Sequence, residues 1–188
     1  MKEMNTPVGF LVVLAKEIKG ESPETQPNNR YRYSGVGRVP ALPTDYQEEE
    51  DAMWDYVCNP DVKDETNLIP SLDKAEELHK RLSQGRRKFE IVFCCQGPDS
   101  GDLRRIESRK IEPLGYDVVT ISACYWSLVE VFCRSDWATT LKARLNEFGL
   151  FNNRRDAEQY LEGYRSHGEP DSDADFDVVY VVRILTEK

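Results

Sequence analysis

Residues 115–119 read Gly115-Tyr116-Asp117-Val118-Val119, and residues 9–13 read Gly9-Phe10-Leu11-Val12-Val13. Both runs open on a glycine, follow it with an aromatic ring and close on two valines. β-branched and aromatic residues in short runs favour strands. The correspondence continues in the same order along the chain. Thr44-Asp45-Tyr46 matches Ser135-Asp136-Trp137, and Leu68-Ile69 matches Leu150-Phe151. Ala75-Glu76-Glu77-Leu78 matches Ala157-Glu158-Gln159-Tyr160, and Phe89-Glu90-Ile91-Val92-Phe93 matches Phe176-Asp177-Val178-Val179-Tyr180.

Anchors of mixed chemistry are harder to produce by chance than hydrophobic runs alone. The stretches that differ in length between the copies read as loops, where insertions cost little closure entropy. The pattern is therefore read as an internal repeat.

Within the first copy, Thr44 opens a helix and Gln47 completes a capping box. Glu48, Glu49, Glu50 and Asp51 follow near the positive end of that helix. Asn59-Pro60 ends it. Arg30 to Val39 reads as a short strand or edge. Ser71 caps a second helix with Leu72, Ala75, Leu78 and Leu82 on one face, and Gly85 is its expected stop. Phe89 to Cys95 has almost no polar member and reads as a central strand.

In the second copy, Tyr116 to Ile121 is the first strand. Ser122 to Cys133 is either a tight turn into a strand or a short helix. Ser135 is expected to cap a helix with the stripe Trp137, Leu141, Leu145 and Phe148, stopped by Gly149. Asn153 caps the next helix, with Ala157, Tyr160, Leu161 and Tyr164 inward, and Phe176 to Leu185 is a long Val-rich strand. Between the copies, Leu103 to Ile111 is compatible with a short helix or an exposed ribbon.

The expected fold is α+β. It comprises two tandem, pseudo-duplicated strand-strand-helix-helix-strand units, with helices packed on one face of a mixed or antiparallel sheet. Residues 1–97 form the first unit, 98–113 the connection and 114–188 the second unit, together one compact pseudo-twofold domain. About three strands alone are marginal in water, so two copies gain by sharing a core.

Composition narrows the function classes. The chain has 188 residues, 39% hydrophobic and 10% aromatic, enough for a substantial core. Twenty-five Lys and Arg against 34 Asp and Glu give a formal charge of −9. That argues against nucleic-acid phosphates and anionic membranes as partners, and is compatible with a basic protein. No apolar run approaches the ~20 residues a membrane span needs. A cytoplasmic location is the expectation. The five cysteines at irregular spacing (Cys58, Cys94, Cys95, Cys124 and Cys133) read as reduced thiols, not a disulfide framework.

No motif for phosphate, dinucleotide, zinc or a serine nucleophile occurs, and no cofactor or metal is expected. The two histidines read as structural. His79 lies on the polar flank of its helix, and His167 stands at a helix end, where a cation suits the dipole. Cys94 and Cys95 point to opposite strand faces, so one is core and the other is a candidate nucleophile only if a base lowers its pKa. Asp171, Asp173, Asp175 and Asp177 alternate as in a Ca²⁺ loop, but Phe176 and Val182 occupy the positions that need glycine and glutamate. Arg104, Arg105 and Arg109 form a basic island suited to an anion. Trp137 fits a buried stripe, whereas Tyr125 and Trp126, at a turn, are candidates for an exposed contact.

These features lead to a non-enzymatic, acidic protein-binding module of the inhibitor or immunity type, which covers a partner's site. Its expected contacts are Tyr125 and Trp126, with Glu48 to Asp51 and the loop Asp171 to Asp175 as steering charges. The alternative is a small enzyme or anionic-ligand-binding domain with its site between the copies. There Arg104, Arg105 and Arg109 would hold the anion, and Cys95 or Asp117 would do chemistry.

Overall fold

The computed structural model describes residues 8–14, 68–84, 89–120, 136–146, 148–167 and 175–185. In chain order the elements are β1 (Gly9–Leu14), α1 (Leu72–Leu82), β2 (Phe89–Cys95), a 3-10 helix (Gly101–Ile106), β3 (Ile111–Thr120), α2 (Asp136–Lys142), α3 (Arg154–Ser166) and β4 (Phe176–Ile184). The architecture is α+β. The expected Thr44 helix, the Arg30 to Val39 strand, Gly85 and the Ser122 to Cys133 stretch lie outside the described residues.

The strands form one sheet in the order β1-β2-β4-β3, with every pairing antiparallel. The run Phe89 to Cys95, apolar except for Glu90, takes an interior position, and every residue of it is buried. Alternation divides the sheet into two faces. Phe93 pairs with Val182, while Cys95 and Tyr116 both pair with Tyr180, so these side chains share one face. Val92 and Glu112 both pair with Arg183, and Asp117 pairs with Val179, on the other face.

Each edge strand takes up one further segment through an isolated bridge. Phe10 and Ile69 exchange both backbone hydrogen bonds at 2.9 Å, and Tyr116 and Phe151 do so at 2.8 and 2.9 Å. The glycine before each aromatic residue makes the approach possible. A β-carbon on Gly9 would meet Leu68 Cβ at 2.6 Å, and one on Gly115 would meet the Phe151 carbonyl at 2.6 Å. Two residues after each bridge comes a helix cap. The Ser71 hydroxyl accepts from Lys74 N at 3.3 Å, and the Asn153 side chain accepts from Asp156 N at 2.9 Å. Strand, bridge, capped helix and returning strand thus follow in the same order in both halves.

Helix α1 buries Ala75, Leu78 and Leu82 and packs against β1 and β2. Helix α3 buries Ala157, Tyr160, Leu161 and Tyr164, and packs with Val118, Phe176 and Val178. Each large apolar side chain removed from water contributes about 1.5–3 kcal/mol.

Three expectations need correction. β3 starts at Ile111, not Tyr116, and passes through Pro113 with a register shift before Gly115. An edge strand tolerates a residue without an N–H. Helix α2 ends at Lys142, so Leu145 and Phe148 are not on its stripe. Asn146 ends the helical stretch: its side-chain oxygen accepts from Phe148 N at 2.9 Å and Leu150 N at 3.1 Å, and its amide donates to Leu114 O at 2.7 Å. A short amide side chain here outcompetes the helix for backbone groups. Finally, His79 is half-buried, not solvated. Its Nε2 lies 2.9 Å from the Phe89 carbonyl oxygen and so donates to it.

Candidate functional site

The two halves meet where β2 ends. Cys95, its last residue, pairs with Tyr180, and Tyr180 pairs across β4 with Tyr116 of β3. The Tyr116 and Tyr180 rings stand 5.0 Å apart at 43°. The loop leaving Cys95 closes tightly, with the Ser100 hydroxyl donating to Gly97 O at 2.8 Å. Arg154, the first residue of α3, reaches this loop and donates to Gln96 O at 2.8 Å. The same guanidinium donates to Glu158 one turn along the helix, also at 2.8 Å. Asp99 and Asp102 lie in the loop and the 3-10 helix. Asp102 accepts from Gln96 N at 3.4 Å.

The protonation of this cluster limits its chemistry. Burial pushes the Cys95 thiol up, outweighing the Ser100 and Gly97 hydrogen bonds, while Asp102 adds to the rise. The thiol donates to Gly97 O at 3.7 Å. A nucleophilic cysteine needs the opposite shift and a nearby base. Both imidazoles are engaged elsewhere. His79 is on Phe89 O, and His167 Nδ1 donates to Gly163 O at 2.7 Å while its ring stacks on Trp137 at 5.1 Å. Burial also raises the Tyr116 phenol against the opposing charge of Arg154, with Asp99 and Cys95 adding to the rise. Burial raises Tyr180 likewise, assisted by Tyr116 and Cys95. Both phenols stay protonated at neutral pH and can donate and accept hydrogen bonds.

The first half has the matching aromatic pair in a sealed form. Phe10 and Phe93 stand 4.7 Å apart, and both are almost fully buried. The Arg105 guanidinium covers them, 5.6 Å from the Phe10 centroid and 5.4 Å from that of Phe93. The tyrosine pair has its charged neighbour, Arg154, turned to Gln96 and Glu158, and Tyr116 stays half-buried.

Arg105 also donates to Pro70 O, and Arg109 pairs with Glu76 at 2.6 Å. Both tie the connection to the first half. Arg104 is exposed. Cys94 and Cys95 are both buried. Asp117 is fully buried, and its side chain accepts from Val118 N at 2.8 Å. It lies on the sheet face opposite Cys95, so the two do not form one site. Tyr125, Trp126, Glu48, Glu49, Glu50 and Asp51 lie outside the described residues, as do residues 171–174. Asp175 is exposed.

Sequence reasoning passed over Tyr116, Tyr180 and Arg154. A signal was present in the aligned stretches: Phe10 and Phe93 stand opposite Tyr116 and Tyr180. Tyr180 is buried and Tyr116 half-buried, so within the pair it is Tyr116 that reaches water.

Comparison with protein-family models, curated protein sequences and solved structures returned no match. Among the described residues no group of His, Cys, Asp or Glu could hold a metal ion, and no helix is long and apolar enough to cross a membrane.

Proposed function

We propose that this chain is a non-enzymatic protein-binding module of the inhibitor or immunity type, built from two copies of one strand-helix-strand unit. In this reading the first copy provides the sealed scaffold and the second presents the contact surface. The observation that supports it is the contrast between the Phe10–Phe93 pair, almost fully buried and covered by Arg105, and the Tyr116–Tyr180 pair, in which Tyr180 is buried and Tyr116 stays half-buried. Tyrosine and arginine supply large, amphipathic contact area and dominate interface hot spots. A thiol held protonated beside them favours recognition over catalysis. The charge of −9 favours a basic partner by speeding encounter. Glu48 to Asp51 and the loop Asp171 to Asp175 serve as steering charges in this reading.

The test places a benzophenone amino acid at position 116 of the full chain. The protein is irradiated in lysate of its source at low and high salt, and the adducts are identified by mass spectrometry. The expected result is one stoichiometric protein adduct whose yield falls as salt rises. No adduct at either salt would overturn the reading.

A further inference from the structure

The aromatic pairs of the two halves occupy matching places. Gly9 pairs with Cys94 and Phe10 with Phe93, while Gly115 pairs with Val181 and Tyr116 with Tyr180. Phe10 bridges to Ile69 and Tyr116 to Phe151. The next residue after the bridge is Pro70 in the first half and Asn152 in the second. The helix caps Ser71 and Asn153 follow at once.

In the first half this place is filled from within the chain. The 3-10 helix lays the Arg105 guanidinium over both rings, 5.6 Å from the Phe10 centroid and 5.4 Å from that of Phe93. The same guanidinium donates to Pro70 O. The surface thus accepts a flat cation over two ring faces, with a carbonyl oxygen at its edge.

The second half keeps both parts of that surface. Its rings stand 5.0 Å apart, against 4.7 Å in the first half. Asn152 is exposed, and its carbonyl accepts no hydrogen bond among the described residues. Among those residues no cation lies over the Tyr116 or Tyr180 ring, and neither phenol makes a hydrogen bond. The other arginine of the first-half segment has no matching place. Arg109 pairs with Glu76, but Glu158, at the corresponding helix position, already holds Arg154. The match therefore calls for a single arginine.

We propose that the Tyr116–Tyr180 pair receives one arginine of the partner protein, its guanidinium over the two rings and donating to Asn152 O, as Arg105 lies over Phe10 and Phe93 and donates to Pro70 O. The proposal rests on the protein-binding reading above and names the partner's chemistry at that site.

Full-length, ¹⁵N-labelled protein is titrated with a synthetic peptide of residues 101–110, the chain's own arginine segment, and with the same peptide carrying Arg105→Gln. The expected result is that the arginine peptide shifts the amides of Tyr116, Asn152 and Tyr180, and that the glutamine peptide binds about tenfold more weakly, as loss of a desolvated cation–π contact does. Tyr116→Leu in the protein should cost the arginine peptide about as much, with circular dichroism showing whether the variant is folded. Arg154→Leu carries the test in any case, because Arg154 is exposed and the first half has Leu72 at this first helical position. It should strengthen the arginine peptide about twofold, the effect of removing one exposed like charge. No binding of either peptide, equal binding of the two, shifts confined to Phe10, Ile69 and Phe93, or weaker binding in R154L would overturn the proposal. A protein adduct at position 116 together with equal binding of the two peptides would sink the arginine inference and leave the module reading standing.

Discussion

Gly115 passes Phe151 so closely that a β-carbon at 115 would lie 2.6 Å from the Phe151 carbonyl oxygen, and the glycine sits at φ 138°. Backbone oxygen cannot yield as a side-chain tip can, and this φ is strained for any L side chain. Gly115→Ala should therefore cost about 2–4 kcal/mol in denaturant unfolding. Gly101→Ala is the control, because nothing lies within 4 Å of its β-carbon position. It should stay within about 0.5 kcal/mol of the parent, the ordinary range for surface substitutions. Equal effects at both positions would show that the bridge to Phe151 does not depend on the glycine.

Trp137 lies against α3 at Gly163, where a β-carbon would meet ring atoms Cε3 and Cζ3 at 2.7 Å. Tyr160 and His167 flank the indole at 5.4 and 5.1 Å. Gly163→Val should lift α2 away from α3 and expose the indole to water. The measurement is tryptophan emission, read as the difference between G163V and the same change in a Trp137→Phe background. A red shift in the first that is missing from the second is expected. An unchanged spectrum would mean that the ring is held by contacts other than the glycine notch.

The two interior strands, β2 and β4, are the ones with long, nearly unbroken apolar runs. Phe89 to Cys95 announces an interior strand because burial on both faces leaves no room for alternation, whereas Phe176 to Leu185 reads only as a long Val-rich strand and its interior place comes from the structure. The helix caps Ser71 and Asn153 are equally legible, since each needs only a short polar side chain before an amphipathic run. The end of α2 was not legible. Leu145 and Phe148 keep the helical spacing, but Asn146 engages Leu114 O, 32 residues away in sequence. Local periodicity carries no trace of such a distant partner. The candidate site was hidden for a related reason. Tyr116 and Tyr180 read as ordinary strand aromatics, and only the register that sets them beside each other and Cys95, with Arg154 reaching Gln96 O next to it, brings these residues to one place.

Arg183 joins three strands on the opposite face. Its Nη1 donates to Glu90 at 2.9 Å and its Nε to Glu112 at 2.9 Å, with the Phe148 ring 5.9 Å away. Glu90 is 8% exposed, so removing the guanidinium leaves a buried carboxylate short of its charge partner. Arg183→Met should cost roughly 3 kcal/mol, as breaking one side of a buried pair does. Adding Glu90→Gln should return part of this, because the carboxylate that loses Arg183 is then gone. Chemical denaturation of the two single variants and the double variant gives the coupling directly. Strict additivity would contradict a working ion pair.

Asn153 and Asp156 cap α3 reciprocally. Asp156 N donates to the Asn153 side chain at 2.9 Å, and the Asn153 amide donates back to the Asp156 carboxylate at 2.9 Å. That amide is the main reason the Asp156 carboxyl sits below its ordinary range; burial opposes it, and Arg144 at 2.9 Å adds to the lowering. A depressed folded-state pKa means the contribution is fully present above the unfolded carboxylate value of about 3.9. It is lost as pH falls through the lower, folded value. Asp156→Asn should thus melt below the parent at pH 7, and the difference should shrink steadily as the pH is taken below about 4. Thermal melts at pH 7, 5, 4, 3 and 2 would show it. A gap between the two proteins that stays constant down to pH 2 would assign the effect of the substitution to shape, with no contribution from charge at the helix start.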